Sequence, residues 1–305
     1  MIHFLFRQHD QRTASVIVFV SAAFWGVMWV PMRMTESFGV APLWVQFWFT
    51  TMPAAALGVI CVRSTLRDRA CWPVYLMSGM CIGLGFTLYA LGLLVASVSK
   101  TTALFYLTPI WSSLLGWLIL KERHSLGRWG AISLAILGCS LLMRINPLDI
   151  RFEAADLLGF LSGIIWGMGT VVLRRYPDAD FRNATFAQYL CGALITGAAI
   201  LYLDVGAPTV AASGKAALMA ALFGGLVFMP SFLLLIRIMQ YMSPGLVGIL
   251  MLSEVLVAVV SAVMFLGEEL DPAQWVGIAV ILAAGVIVAS AGDRPSEDQA
   301  SEGQR

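Results

Sequence analysis

Ten apolar stretches, each close to the roughly 20 residues that carry a helix across a bilayer, run through this chain with only short charged or turn-rich breaks between them. They fall at about 15–34, 42–62, 72–94, 100–120, 127–145, 156–174, 184–203, 216–238, 244–266 and 272–291. In lipid an open segment must satisfy its own backbone hydrogen bonds, and only a helix does so within one stretch. The expected fold class is therefore an all-α integral membrane protein with ten transmembrane helices. Composition agrees, because 59% of the 305 residues are hydrophobic and 12% are charged, against about 25% charged in a soluble domain. The breaks, such as Arg63 to Arg69, Lys121 to His124, Arg174 to Arg182 and Ser243-Pro244-Gly245, leave no room for a soluble catalytic domain. The first stretch follows Arg7 and Arg12 as a signal peptide would, yet Trp25, Trp29 and Pro31 prolong it, so it reads as a retained helix.

Direction follows from the basic residues. With ten spans, 14 of the 19 Lys and Arg fall on one side and 5 on the other, which by the positive-inside rule puts both termini in the cytoplasm of a plasma-membrane protein. One span more or fewer would move every later loop to the other side and blur this bias. Residues 1–14 form a cytoplasmic N-terminal segment. Residues 292–305 form a polar cytoplasmic tail whose composition predicts disorder.

Several function classes lose their parts at this stage. The net charge of +1 gives no basic field for nucleic acid. Cys61, Cys71, Cys81, Cys139 and Cys191 show no C-x-x-C spacing and read as small apolar residues. His3, His9 and His124 lie outside the apolar stretches. Neither a metal site nor a catalytic constellation is expected within the membrane, and no cofactor is called for.

The chain also repeats itself. Phe24-Trp25-Gly26 matches Ile165-Trp166-Gly167 at an offset of 141, which also carries Arg33 onto Arg174 and Gly83 onto Gly224. Glu122 matches Glu268, and Trp129 matches Trp275, at an offset of 146. Two halves, 15–145 and 156–291, thus hold five spans each. Because five is odd, the second half must enter the membrane inverted relative to the first, the architecture of many secondary transporters with a site between the repeats.

These residues carry a resemblance. Trp25-Gly26 and Trp166-Gly167 stand in the first and sixth spans. Leu107-Thr-Pro109 precedes Glu122 and Trp129-Gly130, and Gly267-Glu268 precedes Gln274-Trp275-Val-Gly277. In this order, and in duplicate, they make the chain resemble the ten-helix EamA-type permeases of the drug/metabolite transporter superfamily over nearly its whole length. The resemblance implies a secondary active transporter of small metabolites, commonly an exporter of amino acids or related compounds, working without ATP. It also implies alternating access around a central cavity walled by helices one, three, four, six, eight and nine. Val255 stands where many relatives carry proline, so a weaker kink is expected there. An uptake or exchange carrier of the same fold is the alternative, and an intramembrane enzyme or flippase is the alternative of another class.

Candidate substrate-binding residues follow from polar or amphipathic side chains inside the spans. Glu254, near the middle of the ninth, costs roughly 2.5–3.5 kcal/mol on insertion scales, so it is expected to face a cavity or a partner and to be able to exchange a proton. Thr108 is its repeat counterpart. Trp25, Trp29, Tyr89, Tyr106 and Trp166 join an apolar body to one polar tip, which suits amphipathic solutes. Gln46 and Gln188 carry amides that must find partners or ligand. Glu122, Glu268, Glu269 and Lys100 lie at span ends and read as interfacial groups. Pro31, Pro53, Pro109 and Pro230 are expected to interrupt helices one, two, four and eight, and Gly79 with Gly83 to mark close helix packing. Expected partners are the lipid bilayer, a small-molecule substrate and protons, with a homodimer left open.

Overall fold

The computed structural model describes residues 10–95, 101, 104–121, 126–142, 153–266 and 270–291. The segments 1–9 and 292–305, and the interfacial Lys100, Glu122, Glu268 and Glu269, lie outside the described residues. Apart from a short 3-10 turn at Arg69–Cys71, the described elements are α1 (Gln11–Trp25), α2 (Trp29–Glu36), α3 (Pro42–Arg67), α4 (Trp72–Val95), α5 (Thr108–Leu120), α6 (Leu126–Leu142), α7 (Asp156–Arg175) and α8 (Phe181–Tyr202). They continue as α9 (Val210–Met219), a π-helical segment Ala220–Phe228, α10 (Met229–Met239), α11 (Pro244–Met251), α12 (Ser253–Leu266) and α13 (Pro272–Ala291). Six stretches are long and apolar enough to cross a membrane: Gln11–Glu36, Pro42–Arg67, Arg69–Gly92, Asp156–Arg175, Phe181–Tyr202 and Val210–Met239. Shorter apolar helices occupy Thr108–Leu120, Trp129–Leu142, Pro244–Val257 and Pro272–Ala284.

Helix starts outside the apolar stretches are fixed by side chains that accept from otherwise unpaired N–H groups. Asp10 accepts from the Thr13 amide at 3.3 Å and from its hydroxyl at 2.6 Å, and these bonds hold its carboxyl below the usual carboxylate range. Asp180 caps α8 by accepting from the Arg182 amide at 2.8 Å, with the guanidinium at 2.5 Å. Burial alone would raise the Asp180 carboxyl, but the Arg182 hydrogen bonds outweigh it and hold the carboxyl below its ordinary value.

The radial pattern is that of a protein whose solvent is lipid. Val59, Leu126, Leu201 and Val210 are each more than 80% exposed, whereas Ser112, Ser113, Ser162, Thr185 and Gln240 are wholly buried. Small and hydroxylic residues allow helices to approach closely where no hydrophobic force draws them together. A Cβ added at Gly83 would stand 2.8 Å from the Gly192 amide nitrogen, and one at Gly79 would stand 2.9 Å from the Ala187 carbonyl. The glycine pair of α4 is thus a seat for α8, as its spacing predicts.

The halves interleave instead of forming two globules. α4 packs on α7 and α8, α3 on α8 and the π segment, α5 on α7 and α11, α6 on α13, and α1 on α10, α11 and α12. Every described helix of the first half touches the second half.

The prolines behave unequally. The first span is broken at Gly26–Met28, ahead of Pro31, and α5 begins at Thr108 with Pro109 in its first turn. Pro230 follows directly on the π segment. Pro53 departs from the expectation, because α3 runs through it without interruption. The carbonyl it leaves without an N–H partner belongs to Phe49, and Gly224, with no side chain, lets the π segment lie against that carbonyl and the Pro53 ring.

Candidate functional site

Repeat-related breaks create the site. The fourth span is broken at Tyr106 and Leu107, and the ninth at Leu252, so each resumes as a fresh helix in mid-span, α5 and α12. An offset of 146 carries Tyr106 onto Leu252. No proline is needed at 255: the Leu252 amide bonds the Ile249 carbonyl at 3.1 Å, and the Ser253 hydroxyl donates to the Phe19 carbonyl of α1 at 2.7 Å. That bond ties the break to the first span. Glu254 consequently sits in the first turn of α12, where the unpaired N–H end of a helix favours a negative charge. Tyr106, only 5% exposed, donates its hydroxyl to the Glu254 carboxyl.

Two compartments share a wall near these breaks. The amide compartment, about 350 Å³, is lined by Trp25, Met28, Gln46, Phe49, Thr50, Phe86, Gln188, Tyr189, Gly224 and Phe228. The acid compartment, about 340 Å³, is lined by Ala22, Trp25, Phe86, Tyr89, Phe105, Trp166, Phe232, Leu235, Met251 and Glu254. Trp25 and Phe86 belong to both. Much of each volume is narrow crevice, with room for about one water, so a larger solute has to move side chains to enter.

The partition is an aromatic stack. Trp25 meets Phe86, Phe228 and Phe232 with ring centroids at 5.8, 5.8 and 5.1 Å. Its Nε1 donates to the Ser231 hydroxyl at 3.2 Å, and that hydroxyl donates to the Phe228 carbonyl at 2.7 Å. Trp166 meets Phe86 at 5.8 Å, Phe105 at 6.1 Å and Phe232 at 6.2 Å. Tyr89 stacks on Phe105 at 4.6 Å. Three polar atoms around the compartments are buried with no hydrogen-bond partner: Trp166 Nε1, Gln188 Oε1 and the Tyr189 hydroxyl. Buried polar atoms are ordinarily paired, so such groups mark where a ligand's own donors and acceptors are wanted.

The candidates picked out by sequence now have places. Trp25, Gln46 and Gln188 line the amide compartment; Trp25, Tyr89, Trp166 and Glu254 line the acid compartment, with Tyr106 bonded behind Glu254. Thr108 lines neither, since its hydroxyl is spent on the Phe105 carbonyl at the start of α5. The side chain of Trp29 lies outside the described residues. Helices two and seven contribute walls beyond the six expected. Phe86, Tyr189, Ser231 and Phe232 were missed. Of these, Tyr189 carried a signal in standing beside Gln188, and Ser231 in following a mid-span proline.

The chain as a whole has counterparts among known proteins. The profile of the EamA-like transporter family matches residues 12–144 and again 153–290. This chain belongs to the EamA-like transporter family. The "Uncharacterized transporter YwfM" of Bacillus subtilis (strain 168) is 24% identical over 298 residues, covering 92% of this chain and 94% of the relative. A solved crystal structure overlays on 90% of this chain and 96% of its own with a TM-score of 0.71 at 18% identity, which establishes a shared fold. The EamA-like chain is thus a multi-pass membrane protein of a permease family, and both its family and its relative are transporters by name.

Proposed function

We propose that this EamA-like protein is a secondary active transporter that exports a small amphipathic metabolite, an amino acid or a related compound, by alternating access. Its ten spans form two inverted five-helix repeats in the plasma membrane, with both termini cytoplasmic. The observation that carries the reading is the position of Trp25. It stands in the wall between two compartments built from both halves, one holding amides and the other an acid. A side chain there can admit solute to one compartment as it shuts the other. Inversion draws support from the packing, which comes in exchange-related pairs. α4 on α7 mirrors α10 on α1, and α5 on α7 mirrors α12 on α1, while α3 on α8 and α6 on α13 are their own counterparts.

Glu254 supplies the coupling group. In a poorly solvated compartment its charge is costly, so it can take up a proton from one side and yield it to the other when solute or water displaces the Tyr106 bond. The test is flux. The purified chain in liposomes should exchange solute without turnover, and a pH gradient should drive that exchange. Glu254→Gln should still insert and fold yet lose at least roughly tenfold of gradient-driven flux. Full gradient-driven flux in the Gln variant would make the acid structural, and product formation would make the protein an enzyme. Reporter fusions after residues 69 and 149 and at the C-terminus should read inside, outside and inside. A C-terminus outside would break the inversion.

A further inference from the structure

The walls specify a ligand more narrowly than a transporter as such requires. Among the described residues the two compartments together hold one ionisable group of negative charge, Glu254, and no Lys, Arg or His. The acid shares its compartment with the aromatic side chains of Trp25, Phe86, Tyr89, Phe105, Trp166 and Phe232. An ammonium group is attracted by such faces and by a carboxylate together. A second carboxylate would be desolvated beside a like charge, with only neutral donors such as Trp166 Nε1 and the Tyr189 hydroxyl to meet it. The unpartnered Gln188 Oε1, on a residue 4% exposed, is an acceptor only, so it too asks the ligand for an N–H or O–H.

We propose that the site takes organic amines with an aromatic or apolar body and discriminates against the same body bearing a carboxylate. The ammonium lies at Glu254, and the ring lies against Trp25 and Phe86. A further donor on the ligand reaches Gln188 Oε1 once Trp25 gives way. This rests on the assignment of the two compartments as the transport site, and it narrows the solute class from amino acids to amines.

Four probes sharing an indole body separate the possibilities: tryptamine, tryptophan, indole-3-propionate and the neutral alcohol tryptophol. Binding of labelled tryptamine to the full chain in nanodiscs, competed by the other three, should rank the amine roughly tenfold or more ahead of the zwitterion, with the acid weakest. In Glu254→Gln the ratio of amine to alcohol affinity should fall by roughly tenfold. If that variant is not recovered folded, the wild-type ranking alone decides. Tryptophan or the acid binding as well as the amine overturns the proposal, as does an amine preference untouched by Glu254→Gln, or no binding of any probe. Counterflow in vesicles tests the underlying reading separately. Amine-selective binding without flux keeps the ligand class and overturns the carrier, whereas flux of tryptophan in preference to tryptamine keeps the carrier and overturns the class.

Discussion

Trp25 and Trp166 occupy the same position of the two repeats and have opposite surroundings. Trp25 is the last residue of α1, where the first span breaks, and it is partly exposed to both compartments with its Nε1 bonded to Ser231. Trp166 lies inside the unbroken α7, is 1% exposed, faces one compartment and has no partner for its Nε1. A residue at a helix end can swing about the break, while one in a continuous, packed helix moves only with the whole helix. Duplication supplied two equal indoles; the break in one copy set one of them at a helix end between two compartments and left the other inside a packed helix.

The largest effect should separate the two by truncation. Trp166→Ala removes a fully buried ring and is expected to cost about 3–5 kcal/mol of stability, seen as loss of monodisperse protein and of expression. Trp25→Ala should cost about half as much, yet abolish transport in protein that still folds. Equal loss of folding in both variants would erase the distinction, and would favour core packing for Trp25 as well.

Shortening each indole to a phenyl ring sharpens the contrast. Trp25→Phe should lose about 1 kcal/mol through the Ser231 hydrogen bond, beyond the ring contacts it gives up, and Ser231→Ala should lose the hydrogen-bond part alone. Adding Ser231→Ala to Trp25→Phe should cost nothing further, since both remove the one bond. Trp166→Phe should cost about 1–2 kcal/mol in thermal unfolding, because part of a buried ring leaves a packed site, and it should weaken solute binding by several-fold. Unchanged binding in Trp166→Phe would mean that its Nε1 meets no ligand.

The smallest effect serves as a control far from the partition. Asp180 caps α8 and pairs with Arg182, and its carboxyl is held below the ordinary value. Its contribution is therefore present above the unfolded-state value of about 3.9. It is lost as pH falls from there through the lower folded-state value. Asp180→Asn should cost roughly 0.5–1 kcal/mol at neutral pH, and wild type and variant should converge in stability as acid protonates the carboxyl. Binding and flux should not change, in contrast to every substitution at the partition.

Much of this was legible in the linear sequence, and the reason is physical. Lipid forces each apolar stretch to satisfy its own backbone, so helices and approximate boundaries depend on local composition alone. The same cost marked Glu254, Gln46 and Gln188 as residues needing company, because a polar group within a span is conspicuous against an apolar background. The family too was readable, since Trp25-Gly26, Trp166-Gly167 and the Glu–Trp anchors are spaced along the chain itself.

What the sequence could not decide was which partner each group meets. Thr108 and Tyr106 are two residues apart, yet the first hydroxyl turns back to the Phe105 carbonyl just before its helix and the second reaches Glu254, 148 positions away. Ser231 gave no sign that it would hold Trp25, 206 residues earlier. Pro53 sits in mid-span as Pro230 does, yet α3 stays continuous, with a glycine of another helix packed against its freed carbonyl. Helix formation in lipid is a local balance of backbone hydrogen bonds, whereas the aromatic partition and its two compartments exist only where interleaved helices bring distant side chains together. The sequence alone determined a helical membrane protein with two related halves and a mid-span acid. Tertiary packing alone decided that one indole would stand at a helix break between two compartments and its twin inside a packed helix.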